Sequence, residues 1–294
     1  MKILKYVKYI IEAFFIYLLF FLFKVIGISF ARTIGSFLLK KIGFIFRKKK
    51  LIKKNISNVF KKHSDQAIND IIEKMWSNYG LVLAEYIFLK DFRLNKFKKP
   101  HIRVKGEEIL KKISDRKKPV IFISGHFSNF EMMAMELEKR NINLATIYRP
   151  LNNIFLNPIM IYLRKKYICR NQIKKGLVGT RETISYLKKN TSIALMVDQR
   201  VGESERFPFF GIPAHTTTIP AQLSLKFDLE IIPIYLRREK DNSFYMEVQE
   251  PLGYTKTENL DEDKKNITLS INKKIEEMIL RSPGQWIWTH SRWK

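Results

Sequence analysis

A chain of 294 residues with 46% hydrophobic content has ample apolar mass for one or two packed domains, which excludes an intrinsically disordered protein. Its 54 Lys and Arg against 28 Asp and Glu give a net charge of +26, so the surface attracts polyanions: nucleic acid, anionic lipid headgroups or an acidic carrier protein. The single cysteine, Cys169, excludes an intrachain disulfide and any paired-cysteine metal or redox motif, in keeping with a reducing compartment.

The amino end narrows the choice of polyanion. Residues 13–31 read AFFIYLLFFLF, Lys24, VIGISFA, an apolar stretch close to the roughly 20 residues that span a bilayer core. Lys24 stands where a spanning helix tolerates charge least, so a span and an interfacial helix both remain open. No small-residue cleavage site precedes a polar mature start, which argues against a secretory signal peptide. Up to Phe60 the chain carries 13 Lys and Arg and one acid, Glu12, a net +12. Basic residues around the most apolar segment suit a helix held against anionic membrane lipid. Residues 1–60 are therefore expected to form a membrane-associating segment, with residues 61–294 as the main folded domain.

Residues 65–90 have helical spacing behind a cap at Ser64 or Asp65. After Pro100, short β-branched runs alternate with helical stretches: HIRV then EEILKKIS, VIFIS then EMMAMELEKR, LATIY then NPIMIYLRKK, SIALMV then PAQLSLKF, and EIIPIYL with FYMEVQ before a long carboxyl-terminal helix. That alternation predicts an α/β domain, its largely parallel or mixed sheet flanked by helices.

Ligands of such sheets meet the carboxyl ends of the strands, where His126 and Asp198 follow VIFIS and SIALMV. A histidine there is suited to take a proton near neutral pH, given a carboxylate to fix its tautomer. In SGHFSNFE, residues 124–131, Ser128 to Glu131 fit a capping box, which would start a helix at Ser128 and leave His126 on the turn before it. Glu131 then either partners His126 or only caps the helix. Gly-x-Ser-x-Gly, His-Glu-x-x-His, a Walker loop and Gly-x-Gly-x-x-Gly are all missing from the sequence. A histidine and a carboxylate without a nucleophile suggest that the substrate supplies one, such as a hydroxyl attacking an acyl donor.

SGHFSNFE, YRPLNNIFLNPIM, DQRVGESERFPFFGIPAHTTT and PGQWIWTHSRWK, in that order over residues 50–294, resemble the lipid A biosynthesis acyltransferases, within the wider glycerolipid acyltransferase superfamily. The resemblance implies His126 as general base with Glu131 orienting it, an acyl-carrier-protein thioester as donor, a hydroxyl of a lipid A precursor as acceptor, and neither cofactor nor metal. It also implies an inner-membrane location with a cytoplasmic active site. Arg149 and Arg164 match basic family positions that would meet headgroup phosphates or the thioester. Asn129 would help hold the substrate or bond the helix start, and Asp198 would either anchor Arg149 or Arg164 as a structural ion pair or take a catalytic role. A relative acting on another glycolipid or phospholipid headgroup is the alternative. Nucleic-acid binding rests on net charge alone and gains nothing from the apolar amino end. Ser128 stands where many relatives are expected to have glycine. The phenylalanines of FPFFG would fill core or line an acyl slot, and Trp286, Trp288 and Trp293 would pack or sit at a bilayer interface.

Overall fold

The computed structural model describes residues 2–202 and 204–294. The amino end forms α1 (Lys2–Phe46), with non-helical φ/ψ at Gly27, then α2 (Lys49–Val59) and α3 (Asp65–Glu85). Ser64 caps α3, its hydroxyl accepting from the Ala67 N–H. After α4 (Leu89–Arg93) the alternation begins: β1 (Ile102–Lys105), α5 (Glu107–Arg116), β2 (Ile121–Ser124), α6 (Glu131–Lys139), β3 (Leu144–Tyr148), α7 (Asn157–Leu163), β4 (Asn171–Lys174), α8 (Leu177–Lys188) and β5 (Ser192–Met196). A ribbon of β6 (Arg206–Phe209) and β7 (Ile212–His215) leads to α9 (Ile219–Phe227), β8 (Ile231–Arg238), β9 (Phe244–Val248) and α10 (Leu260–Arg281).

Seven strands form one mixed sheet in the order β1-β9-β8-β2-β5-β3-β4. All neighbours run parallel except β8 and β9. The expected α/β fold is thus the observed one. β2 is central and buried throughout, as a strand covered on both faces must be. On one face Phe122 and Ala194 join Met132, Met133 and Met135 of α6; on the other Ile121, Ile123 and Ile193 join α9 and α10. The loops after β2 and β5 therefore emerge side by side at one end of the sheet.

Sequence periodicity did not reveal β4, α8 or the β6–β7 ribbon. Pro208 and Pro213 face each other in the ribbon, whose strands pair with no others among the described residues, so no central ladder loses a donor. Phe207 and Phe209 are buried in this ribbon, Phe209 against Trp286 and Trp293, and so fill core.

α1 runs alongside the domain. Its polar contacts recur from the Tyr9 carbonyl, which accepts from Asn153, through Lys24 with Asp91 at 2.9 Å, to Lys40 with Glu73. Phe20, Phe23 and Ala31 are buried in the main core, while Phe14, Phe15, Phe21 and Phe30 are exposed. α1 and α3 approach backbone to backbone at Gly35 and Gly80, where a Cβ on Gly80 would lie 2.0 Å from the Gly35 carbonyl oxygen.

Candidate active site

β2 ends at Ser124, whose hydroxyl donates to the Ile234 carbonyl of β8 at 2.7 Å. Gly125 follows without a side chain because a Cβ there would lie 2.7 Å from the Phe127 ring and 3.3 Å from Asp198 Oδ2. The next residue is His126. Asp198, two positions beyond β5, reaches across the strand ends to it: Oδ2 accepts the His126 backbone N–H at 2.8 Å, and Oδ1 lies 2.8 Å from Nδ1. Trp286 adds its indole N–H to Oδ2 at 2.8 Å.

Asp198 is fully buried. Burial is the largest single influence and pushes its pKa up, but the His126 charge, the two bonds from His126 and the Trp286 bond together hold it below the ordinary aspartate value. An ionised Asp198 makes Nδ1 the donor, so that in the neutral imidazole Nε2 carries the lone pair that a proton acceptor requires. Gln199 Nε2 stands 3.5 Å from that Nε2.

Glu131 does not hydrogen-bond to His126. It opens α6, and its Oε1 accepts from Arg164 Nε at 2.9 Å, from Arg164 Nη2 at 2.6 Å, and from the Tyr86 hydroxyl. His126 Nδ1 is already engaged by Asp198, and the Phe130 ring packs edge-on to the imidazole with centroids 4.7 Å apart. Both carboxylates of the sequence argument are thus present, with their partners exchanged: Asp198 serves the histidine, and Glu131 anchors Arg164. The expected pairing of Asp198 with Arg149 or Arg164 is corrected accordingly. Arg164's pKa is raised because attraction to Glu131 and Tyr86 outweighs burial, the largest single influence.

The expected capping box does not form. Ser128 has φ +50°, a left-handed conformation that favours glycine, and its buried hydroxyl has no hydrogen-bond partner among the described residues. Its backbone N–H donates to the Gln285 carbonyl at 2.9 Å. Asn129 is fully buried behind the motif, donating at 2.9 Å to Glu85, so it does not line the cavity. Glu85 is itself locked between Arg238 (2.8 Å) and Arg32 of α1 (2.8 Å).

His126, Glu131, Arg149 and Arg164 border one cavity of about 270 Å³, with Lys175, Arg200 and His290. Its apolar wall includes Phe130, Met133, Ala134, Ile147 and Leu195. Arg149 is exposed, Arg164 half-buried. Among the described residues, no group of three or more His, Cys, Asp or Glu could hold a metal ion. The arrangement offers a proton acceptor, an oriented guanidinium, further cations and an apolar wall.

Sequence reasoning missed Tyr86, Glu85, Gln285 and the role of Trp286. The tail motif was visible, but its function is to clamp the site: Gln285 holds the Ser128 turn and Trp286 holds Asp198. Trp286 and Trp288 are buried, so for them the packing expectation holds.

A family profile described as bacterial lipid A biosynthesis acyltransferase matches residues 1–294. The chain is 28% identical over 261 residues to the lipid A biosynthesis palmitoleoyltransferase of Escherichia coli (strain K12), covering 85% of this chain and 80% of that protein. It is 24% identical over 257 residues to the lipid A biosynthesis lauroyltransferase of the same strain, with the same coverage. It is 23% identical over 257 residues to a lipid A biosynthesis acyltransferase of Haemophilus influenzae, covering 84% and 78%. With a match from end to end, the chain belongs to the bacterial lipid A biosynthesis acyltransferase family.

Proposed function

We propose that this chain transfers a fatty acyl group from an acyl-carrier-protein thioester to a hydroxyl of a lipid A precursor, with His126 as general base and Asp198 as its orienting carboxylate. Membership of the family supports acyl transfer in lipid A biosynthesis. The observation that carries the proton path is the bond between His126 Nδ1 and a buried, ionised Asp198, with the imidazole at the edge of a partly apolar, cation-lined cavity.

In this reading His126 Nε2 takes the proton of the acceptor hydroxyl as its oxygen attacks the thioester carbonyl. The tetrahedral intermediate collapses by breaking the carbon–sulfur bond, and the imidazolium returns the proton to the departing thiolate. No acyl-enzyme forms. Asp198 stabilises the imidazolium. Glu131 holds Arg164 at the cavity, where its planar donors suit the developing oxyanion or an acceptor phosphate, and exposed Arg149 serves the phosphate. Asn129 acts from behind, keeping the Ser128 turn in register with Glu85.

The same reading places the protein at the inner membrane with its active site on the cytoplasmic side, held by residues 1–60 against anionic lipid. α1 supports this. Its length and composition suffice to cross a membrane, and only 17% of its most apolar window is buried. Because its contacts with the domain recur along its length, and Lys24 is neutralised by Asp91, an interfacial lie is favoured over a perpendicular span.

The test is transfer by the purified protein from acyl-loaded carrier protein to a lipid A precursor in nanodiscs. One thiol should be released per acyl chain gained, and His126→Ala should lose activity about 10²- to 10⁴-fold. Thiol release without acceptor acylation, or transfer undiminished in the variant, would contradict the proposal.

A further inference from the structure

The first two residues of α8 are the aliphatic pair Leu177 and Val178, 88% and 70% exposed. Scattered exposed aliphatics are ordinary; an adjacent pair, directly preceded by two lysines and a glycine, is a different feature. The pair follows β4, the edge strand, at the end of the sheet that carries His126. Lys175 ties this turn to the cavity: its N–H donates to the Tyr148 carbonyl at 2.9 Å, and it lines the cavity beside Arg149. Leu177 and Val178 therefore lie just beyond the cavity rim.

The same end of the sheet carries a second apolar feature. In the loop after β3, Leu151, Ile154 and Phe155 are exposed. This loop is bonded to α1, Asn153 donating to the Tyr9 carbonyl at 2.9 Å and the Tyr17 hydroxyl to the Phe155 carbonyl at 2.6 Å. The exposed apolar residues of α1 thus continue into that loop.

Charge identifies what covers these residues. Lys174, Lys175 and Arg181 flank the pair and Arg149 stands beside Lys175 at the cavity, with no acid in the sequence between Glu138 and Glu182. The acidic carrier protein of the proposed reaction would match this charge, but the neighbouring loop continues the exposed apolar face of α1, and an anionic bilayer presents both charge and an apolar interior to such a surface.

We propose that Leu177 and Val178 enter an anionic bilayer as a second lipid contact, separate from α1, so that the active-site cavity opens at the membrane surface with Lys174 and Lys175 on the headgroups. This rests on the membrane reading of α1 and adds to it the orientation of the cavity.

A single thiol-directed probe tests it. Burial pushes the Cys169 thiol up to about 12, so an introduced surface cysteine is labelled selectively in the full chain. An environment-sensitive fluorophore on Leu177→Cys should shift to the blue, brighten several-fold in nanodiscs containing phosphatidylglycerol, and be quenched by spin-labelled acyl chains. The same probe on Phe15→Cys reports α1 independently. Water-like emission and iodide quenching at 177, with an apolar signal at 15, would overturn the proposal alone; water-like emission at both would overturn the membrane reading with it. An apolar signal at 177 that ignores spin-labelled lipid but follows the number of protein copies per disc would assign the pair to a contact between copies, and also overturn it.

Discussion

Glu131 Oε1 accepts two hydrogen bonds from Arg164, at 2.9 Å from Nε and 2.6 Å from Nη2, and none from His126. Its charge therefore keeps a guanidinium in place at the cavity, with Tyr86 as a third member. Glutamine would leave Arg164 without its counter-charge, a loss on the order of 3 kcal/mol for a buried pair. Glu131→Gln is expected to lower both the melting temperature and the transfer rate. Unchanged values of both would remove Glu131 from the site's machinery.

Asp198→Asn should cost about 10²- to 10⁴-fold in rate, because asparagine neither fixes the Nδ1–H tautomer nor balances an imidazolium. Combined with His126→Ala it should add little, since the two act on one proton. Trp286→Phe keeps a ring beside Trp288 and Phe209 but removes a donor from Asp198, and a loss of about tenfold is expected. Steady-state rates of the four variants check this; a fully active Asp198→Asn would end the assigned proton path.

Acid should weaken the fold through His290. Burial, the main cause, and the neighbouring His126, Arg292 and Arg47 lower its pKa from the ordinary 6.5 to about 4. An unfolded chain binds that proton near pH 6.5 and the folded one only near 4, so this contribution is full above 6.5 and falls as the pH drops through that window. Glu136, depressed from 4.5 to about 2 despite its burial by bonds from His101, Lys139 and Arg140, loses its contribution at lower pH, between those values. His290→Asn retains an acceptor for the Arg200 N–H, bonded at 3.3 Å in the native chain, and should flatten melting temperature against pH from 6.5 to 4. A slope identical to that of the unmodified protein would contradict the assignment.

Removing residues 1–31 is expected to abolish folding rather than merely release the protein from membranes. The cut takes Phe20, Phe23 and Ala31 from the main core, and losing each buried phenylalanine costs about 3–5 kcal/mol, together comparable to the whole stability of a domain. A cut after residue 8 spares every one of these contacts and should retain cooperative melting by circular dichroism in detergent. Cooperative melting of the longer deletion would show that α1 is dispensable to the fold.

The fold was legible because VIFIS, SIALMV and LATIY are short apolar runs separated by helical spacing, and that pattern suffices for a sheet covered on both faces. His126 was legible because it directly follows such a run. Its partner was not. Asp198 is 72 positions away and reaches His126 only because β5 pairs with β2, a choice of neighbour that local sequence does not encode. SNFE matched the letters of a capping box, but the Gln285 carbonyl takes the Ser128 N–H and the backbone there turns left-handed, so the local rule gave way to a tertiary one. Asn129 misled for a similar reason: its partner Glu85 belongs to a buried cluster assembled from α1, α3 and β8.

Mass spectrometry of lipid A from cells that contain the protein, lack it, or carry only His126→Ala tests the central claim most directly. Cells with the intact protein should show lipid A heavier by one acyl chain, with the other two alike and lighter. Identical lipid A in all three, or full acylation supported by the His126→Ala protein, would contradict acyl transfer to lipid A by this site.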